Sequence, residues 1–191
     1  MTPSSFVLRD LAVSCEVEAY QRLDPLQGTK VPQIYGYFAA AAPTQQGRTV
    51  YITGILLEEV PGQGPARHWA SGCYREFCAK HKAAIIDAAL RLAFDILACG
   101  VNQQDMQPRN VILWPQQHVL QSVSGTRFCE TEECLLALEV DCDDLNMAMV
   151  DFEMVDFEEP DASFSEEAVQ TADISKYKSR YLESWPEHGL D

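Results

Sequence analysis

The apolar residues of this chain change their spacing several times, and each change marks an element. Across residues 11–23, Cys15, Val17, Ala19, Tyr20 and Leu23 recur at mixed three- and four-residue steps. That spacing predicts a helix, which Asp24-Pro25 ends. Leu26-Gln27-Gly28-Thr29-Lys30 reads as a turn. Residues 31–40 carry Ile34, Tyr35, Tyr37 and Phe38, and residues 49–60 carry Val50, Tyr51, Ile52, Ile55, Leu56 and Leu57. Both runs suit a pleated surface, and their closeness across a Pro/Gln/Gly connection at 41–48 predicts an antiparallel pair. Pro61-Gly62-Gln63-Gly64-Pro65 then breaks the pattern sharply. It divides the chain into two parts, 1–62 and 63–191.

The second part turns helical. Residues 74–99 place Phe77, Ile85, Ile86, Ala89, Leu92, Ala93, Ile96 and Leu97 in a broad stripe at helical spacing, with Gly100 as the stop. Two short strands are predicted at 110–114 and 147–152. Between them lies an insert, 115–146, with one further strand or helix expected around 134–140. No internal repeat or low-complexity tract appears.

Charge sharpens this picture. The chain has 191 residues, 14 basic against 29 acidic, for a formal charge of −15. Its size allows roughly 70 % of the unfolded surface to be buried, so a core needs no staple. The acidity argues against a nucleic-acid partner and against an anionic membrane surface, both of which need clustered Lys and Arg. It leaves Mg²⁺ and Mg-nucleotides open. Fifteen of the acidic residues fall between Glu130 and Glu167, a stretch with no Lys or Arg. No run approaches ~18 consecutive apolar residues, and the first ten residues lack a secretory pattern, so a cytoplasmic protein is expected. The seven cysteines include no CxxC pair, which suits reduced, structural thiols. Cys73, Cys78 and His81 share a helix flank without a matching second pair, so spacing predicts no zinc site.

The chemistry concentrates in the stretch Gly100 to Leu113. Asp105 and Asn110 stand five residues apart in a loop between the long helix and a short strand. Later a strand ends in Val150-Asp151-Phe152. Phosphoryl transfer uses such a set: one carboxylate orients the attacking hydroxyl, while an amide and a second carboxylate hold Mg²⁺.

These residues carry a resemblance. Gln103-Gln104-Asp105-Met-Gln-Pro-Arg-Asn110 resembles the catalytic loop of the protein-kinase-like fold, with Gln103 where His is usual. Asp151-Phe152-Glu153 resembles its metal-binding Asp-Phe-Gly. Glu16 to Leu23, then Val31-Pro32 and Tyr35-Gly36, resemble the αC helix and the strand after it. Gly54 to Gly62 resembles the strand leading into the hinge, with Leu57 as gatekeeper. The match runs in order from about Glu16 to Phe157, and is nearest to fungal kinase-like proteins and the aminoglycoside and choline phosphotransferases.

The resemblance implies an α+β, kinase-like fold with a truncated small lobe, of a few antiparallel strands and one helix, and a compact helical large lobe. It implies Asp105 as the catalytic residue, Asn110 and Asp151 as metal ligands, and Glu16, Glu58 and Val60 as the cofactor-binding positions. Nothing before Glu16 resembles a Gly-rich loop, and no lysine in the first fifteen residues could pair with the αC glutamate. Weak or absent ATP binding is therefore expected, and Glu153 in place of Gly is expected to restrict the turn after Asp151. Three readings follow: an ATP- and Mg-dependent phosphotransferase acting on a small molecule, a pseudokinase serving as a binding module, or a pocket reassigned to non-phosphoryl chemistry on a small organic substrate. Asp105→Asn is expected to abolish activity with little effect on stability. Exposed strand edges of the small lobe point to a homodimer.

Overall fold

The computed structural model describes residues 3–60, 77–114, 129–131, 134, 136, 140–143, 145–160 and 185. Helix α1 spans Pro3–Arg22, beginning earlier than the apolar spacing indicates. Its last turn buries Ala19 and Tyr20, and Leu23 just beyond is also fully buried. Pro25 then sets a 3₁₀ turn, Asp24–Leu26. Gly28 follows at φ 74°, closing the predicted turn.

Strands β1, Ile34–Pro43, and β2, Thr49–Leu57, form the expected antiparallel hairpin. The connection is shorter than predicted. The Gly47 N–H donates to the Thr44 carbonyl at 2.9 Å, and Gly47 takes φ 73°, a conformation that costs glycine nothing. Among the described residues this sheet has two strands, and both of its faces meet solvent. Tyr37 is 71 % exposed and Tyr51 64 %, so much of the apolar content of the hairpin faces solvent instead of a core.

Helix α2, Ala79–Ala98, is the core element. Ile85, Ala89, Leu92, Ala93 and Ile96 form its buried stripe, and His81 extends that stripe by one turn. Gly100 ends the helix at φ 75°, as the sequence predicts. A Cβ at this position would lie 2.5 Å from the Glu158 carbonyl, so glycine is needed for space as well as for conformation.

After α2 the chain builds two small antiparallel ladders. Strand β3, Val101–Gln103, pairs with β6, Val155–Phe157, and β4, Val111–Trp114, pairs with β5, Asn146–Met149. The second ladder joins the two predicted strands, though the later one ends at Met149, so Asp151 lies past its end and not on it. The first was not anticipated: three residues are too few to display a two-residue alternation. Among the described residues the second part therefore holds one long helix and two ladders, with more strand than a helical lobe implies. The boundary at 61–65 lies outside the described residues, as does most of the insert. Within it the Val140 N–H donates to the carbonyl of Leu136, which is buried, at 3.0 Å.

Candidate active site

The two ladders bring two loops face to face. The ladder β4–β5 is extended by the Val150 N–H donating to the Asn110 carbonyl at 2.8 Å. The ladder β3–β6 is extended by the Gln104 N–H donating to the Met154 carbonyl at 3.0 Å. Residues 105–109 and 151–153 therefore cross the gap side by side, held at both ends. Short strands here act as clamps.

Asp105 lies in the first loop and is mostly buried, its side chain 17 % exposed. Its Oδ2 accepts from Asn110 Nδ2 at 3.0 Å and from Arg109 Nη2 at 2.5 Å. Asn110 Nδ2 also donates to the Asp105 carbonyl at 3.1 Å. Pro108 starts a 3₁₀ turn, Pro108–Asn110, that delivers Arg109 and Asn110 to this carboxylate. Asn110 is buried and uses its amide nitrogen on Asp105, which leaves Oδ1 as the only side-chain atom able to ligate a cation.

Gln103 joins the loops. Its Oε1 accepts the Asp105 N–H at 3.1 Å, and its Nε2 donates to the Asp151 carbonyl at 2.7 Å. One buried amide thus spans from the backbone of one acidic residue to that of the other. Gln103 cannot trade protons at neutral pH, and its role here is to hold position.

Asp151 is exposed and takes φ 66°, the one left-handed non-glycine residue described. The turn strain expected at Glu153 thus falls on Asp151, because Asp tolerates this region through local hydrogen bonds. Its Oδ1 accepts the Glu153 N–H at 3.4 Å. Phe152 turns inward and packs edge-to-face on Tyr20 at 5.3 Å between ring centres.

Helix α1 supplies a further carboxylate. Burial raises the Glu16 pKa, the negative charges of Asp151 and Glu153 raise it further, and the Phe152 N–H lowers it in part. Tyr20, one turn along, has its phenol pKa pushed well up by burial and then by Glu16 and Asp151. Its buried hydroxyl finds no hydrogen-bond partner among the described residues. Three carboxylates and an orphaned hydroxyl therefore share one neighbourhood.

The structure brings Asp105, Asn110, Asp151 and Glu16 into this region and leaves Glu58 and Val60 at the end of the hairpin. Glu58 is used structurally: its N–H donates to the Gln33 carbonyl at 2.8 Å, and its Oε2 accepts the Gln33 N–H at 3.0 Å. Lys30 is the first lysine of the chain, and it pairs with Asp95 of α2 at 2.7 Å. Sequence reasoning passed over the Tyr20 hydroxyl and could not name the two partners that Gln103 bridges, because neither an orphaned hydroxyl nor a cross-loop amide leaves a spacing signal.

No protein-family model matches the chain, and no curated protein matches it. Among solved structures it is similar to WaaP, in a structure of WaaP in complex with acyl carrier protein. The TM-score is 0.50 and the identity 18 %, over 92 % of this chain and 66 % of that one. The chain thus spans just under two thirds of WaaP's length. A likeness at this identity carries the fold and not the narrower fungal or aminoglycoside–choline family. The chain has a kinase-like fold.

Proposed function

We propose that this protein is a kinase-like phosphotransferase acting on a small molecule, with Asp105 as the residue that receives the attacking hydroxyl. The observation that carries the reading is the joining of Asp105, Asn110 and Asp151 through the Asp105–Asn110 hydrogen bond at 3.0 Å and the Gln103 amide. Each is the residue type that phosphoryl transfer uses at that place.

The local donors fit a hard divalent cation. Asp151 and Asn110 Oδ1 offer oxygen atoms only, and the crowding of Asp151 and Glu153 that adds to burial in raising Glu16 is what such a cation would relieve. Mg²⁺ held by Asn110 and Asp151 would supply charge neutralisation for a transferring phosphoryl group. The chain's own residues orient: Asn110 and Arg109 fix one oxygen of Asp105, and a substrate hydroxyl would present its proton to the other. A carboxylate so placed contributes about 10²–10⁴-fold as a general base.

The nucleotide side is weaker. Lys30 is committed to Asp95, and Glu16 receives a backbone N–H where a kinase-like helix would present it to a lysine. These two observations favour, as the second reading, a pocket that has lost nucleotide chemistry and serves as a binding module. Glu58 and Val60 would meet a nucleotide through their backbone.

Thermal shift and product formation together test the proposal. ATP with Mg²⁺ at 100 times its dissociation constant should add about 2.7 kcal/mol. The expected affinity for the 191-residue chain is weak, so this needs high nucleotide concentrations. Phosphorylated product that disappears in both Asp105→Asn and Asp151→Asn supports the phosphotransferase. No nucleotide shift and no product from a panel of small hydroxylated acceptors would overturn it. Activity lost only with Asp105, and independent of Mg²⁺, would assign the cleft to other acid–base chemistry.

A further inference from the structure

A second constellation lies at the other end of α2. Cys78 and His81 open the helix, and Cys129 and Cys134 reach them from the insert. The three Sγ atoms and one ring nitrogen of His81 all lie within 4.8 Å of one another. His81 Nδ1 stands 3.1 Å from Cys78 Sγ and 3.4 Å from Cys134 Sγ. The tetrahedral edges expected around zinc, with Zn–S near 2.3 Å and Zn–N near 2.0–2.1 Å, are about 3.5–3.8 Å.

The histidine is set up as a ligand by its other nitrogen. Nε2 lies 2.9 Å from the Val140 carbonyl, which can only accept, so Nε2 carries the proton. Nδ1 of the neutral ring is then a lone pair aimed at sulfur. A backbone carbonyl on the far nitrogen is the usual outer support of a metal-bound histidine. The Cys78 N–H donates to Cys134 Sγ at 3.4 Å, which holds that sulfur beside the start of the helix. His81 and Cys134 are buried, whereas Cys78 and Cys129 are half-buried, so an ion could enter and then be shielded.

We propose that Cys78, His81, Cys129 and Cys134 form a structural zinc site that fastens the insert to the first turn of α2. A soft S₃N set suits zinc, and four protein ligands leave no open position for catalysis. Binding Zn²⁺ replaces the thiol protons, so three thiolates and a neutral imidazole give a site of net charge −1, with the displaced protons going to solvent. The spacing argument failed because it sought the second pair near the first. Cys129 and Cys134 lie across the insert, and only the fold brings them to the helix. The site stands apart from Asp105 and does not depend on the phosphotransferase reading.

The test is metal analysis of the full chain, expressed with zinc in the medium and purified in reductant without chelator. About one zinc per chain is expected, falling below about a tenth of that in Cys129→Ser and staying unchanged in Cys15→Ser. Cobalt added to the reduced, metal-stripped wild-type protein should give the visible bands of tetrahedral Co²⁺ and thiolate-to-cobalt charge transfer. This second measurement needs no variant to fold. Chelation should lower the thermal midpoint, and zinc should restore it. Folded, reduced protein with neither zinc nor cobalt bands would overturn the proposal. So would an intact mass showing a disulfide among Cys78, Cys129 and Cys134 in the protein as isolated.

Discussion

At Glu16 the surroundings oppose ionisation. Its pKa stands above the ordinary 4.5, through burial first and then through Asp151 and Glu153. The folded state therefore holds this proton more tightly than the unfolded chain, so the Glu16 contribution to stability falls as pH rises from 4.5 through the raised value. Glu16→Gln keeps an acceptor for the Phe152 N–H and removes the charge. We expect a higher thermal midpoint for this variant at neutral pH and a flatter midpoint–pH profile above 4.5. An unchanged profile would show that Glu16 is not held against its charge. At Asp105 the sequence suggested a surface carboxylate whose replacement is nearly free. The observed side chain is mostly buried and bonded to Arg109 and Asn110, so Asp105→Asn should cost about 1–2 kcal/mol in urea unfolding along with the lost activity. Gln103→Leu should cost more, about 2–4 kcal/mol, because it strands both the Asp105 N–H and the Asp151 carbonyl.

Among the elements, α2 depends on its stop. Gly100→Ala combines a left-handed backbone with a Cβ 2.5 Å from the Glu158 carbonyl, so a loss of about 2–4 kcal/mol is expected in denaturant titration. A loss under about 0.5 kcal/mol, the range of an ordinary surface change, would mean the β6 side yields easily. Elements long enough to repeat a period were legible in the chain: the end of α1, most of the hairpin and α2 from Ala79 onward fall where apolar spacing places them, although the stripe counted Phe77, which precedes the helix. The ladder β4–β5 was legible because Val111 and Met149 sit in apolar runs. Strands β3 and β6 were not, since each has three residues and their pairing is long-range. The candidate site was legible by its residue types, whereas the left-handed turn at Asp151 and the sulfur cluster depend on contacts that no local window contains. The hairpin carries its own proposal. With Tyr35, Tyr37, Tyr51 and Leu56 exposed and, among the described residues, no third strand beside it, it offers a surface for a second copy of the chain. Sedimentation should then show a dimer that Tyr37→Lys weakens; a monomer at all concentrations would remove the proposal.

Across the molecule, one residue from the last part of the chain secures the site. Trp185 is fully buried, and its Nε1 donates to the Met106 carbonyl at 2.6 Å, directly beside Asp105. Trp185→Ala should cost about 3–5 kcal/mol in urea unfolding, and any activity should fall with it. Among the described residues no helix is long and apolar enough to cross a membrane. The end of α1 and the turn after it are tied to the second part at three places. Arg22 donates to the Glu158 carbonyl at 2.9 Å and covers the Phe157 ring at 4.6 Å, the Met149 N–H donates to the Lys30 carbonyl at 2.9 Å, and Tyr20 meets Phe152. Helix and loops must therefore move as one body. An enzyme that closes on its substrate passes through a slow isomerisation, seen as an association rate that saturates with concentration. Here the carboxylates already stand in place when a ligand arrives. Its observed association rate should climb in a straight line with concentration, limited by encounter alone.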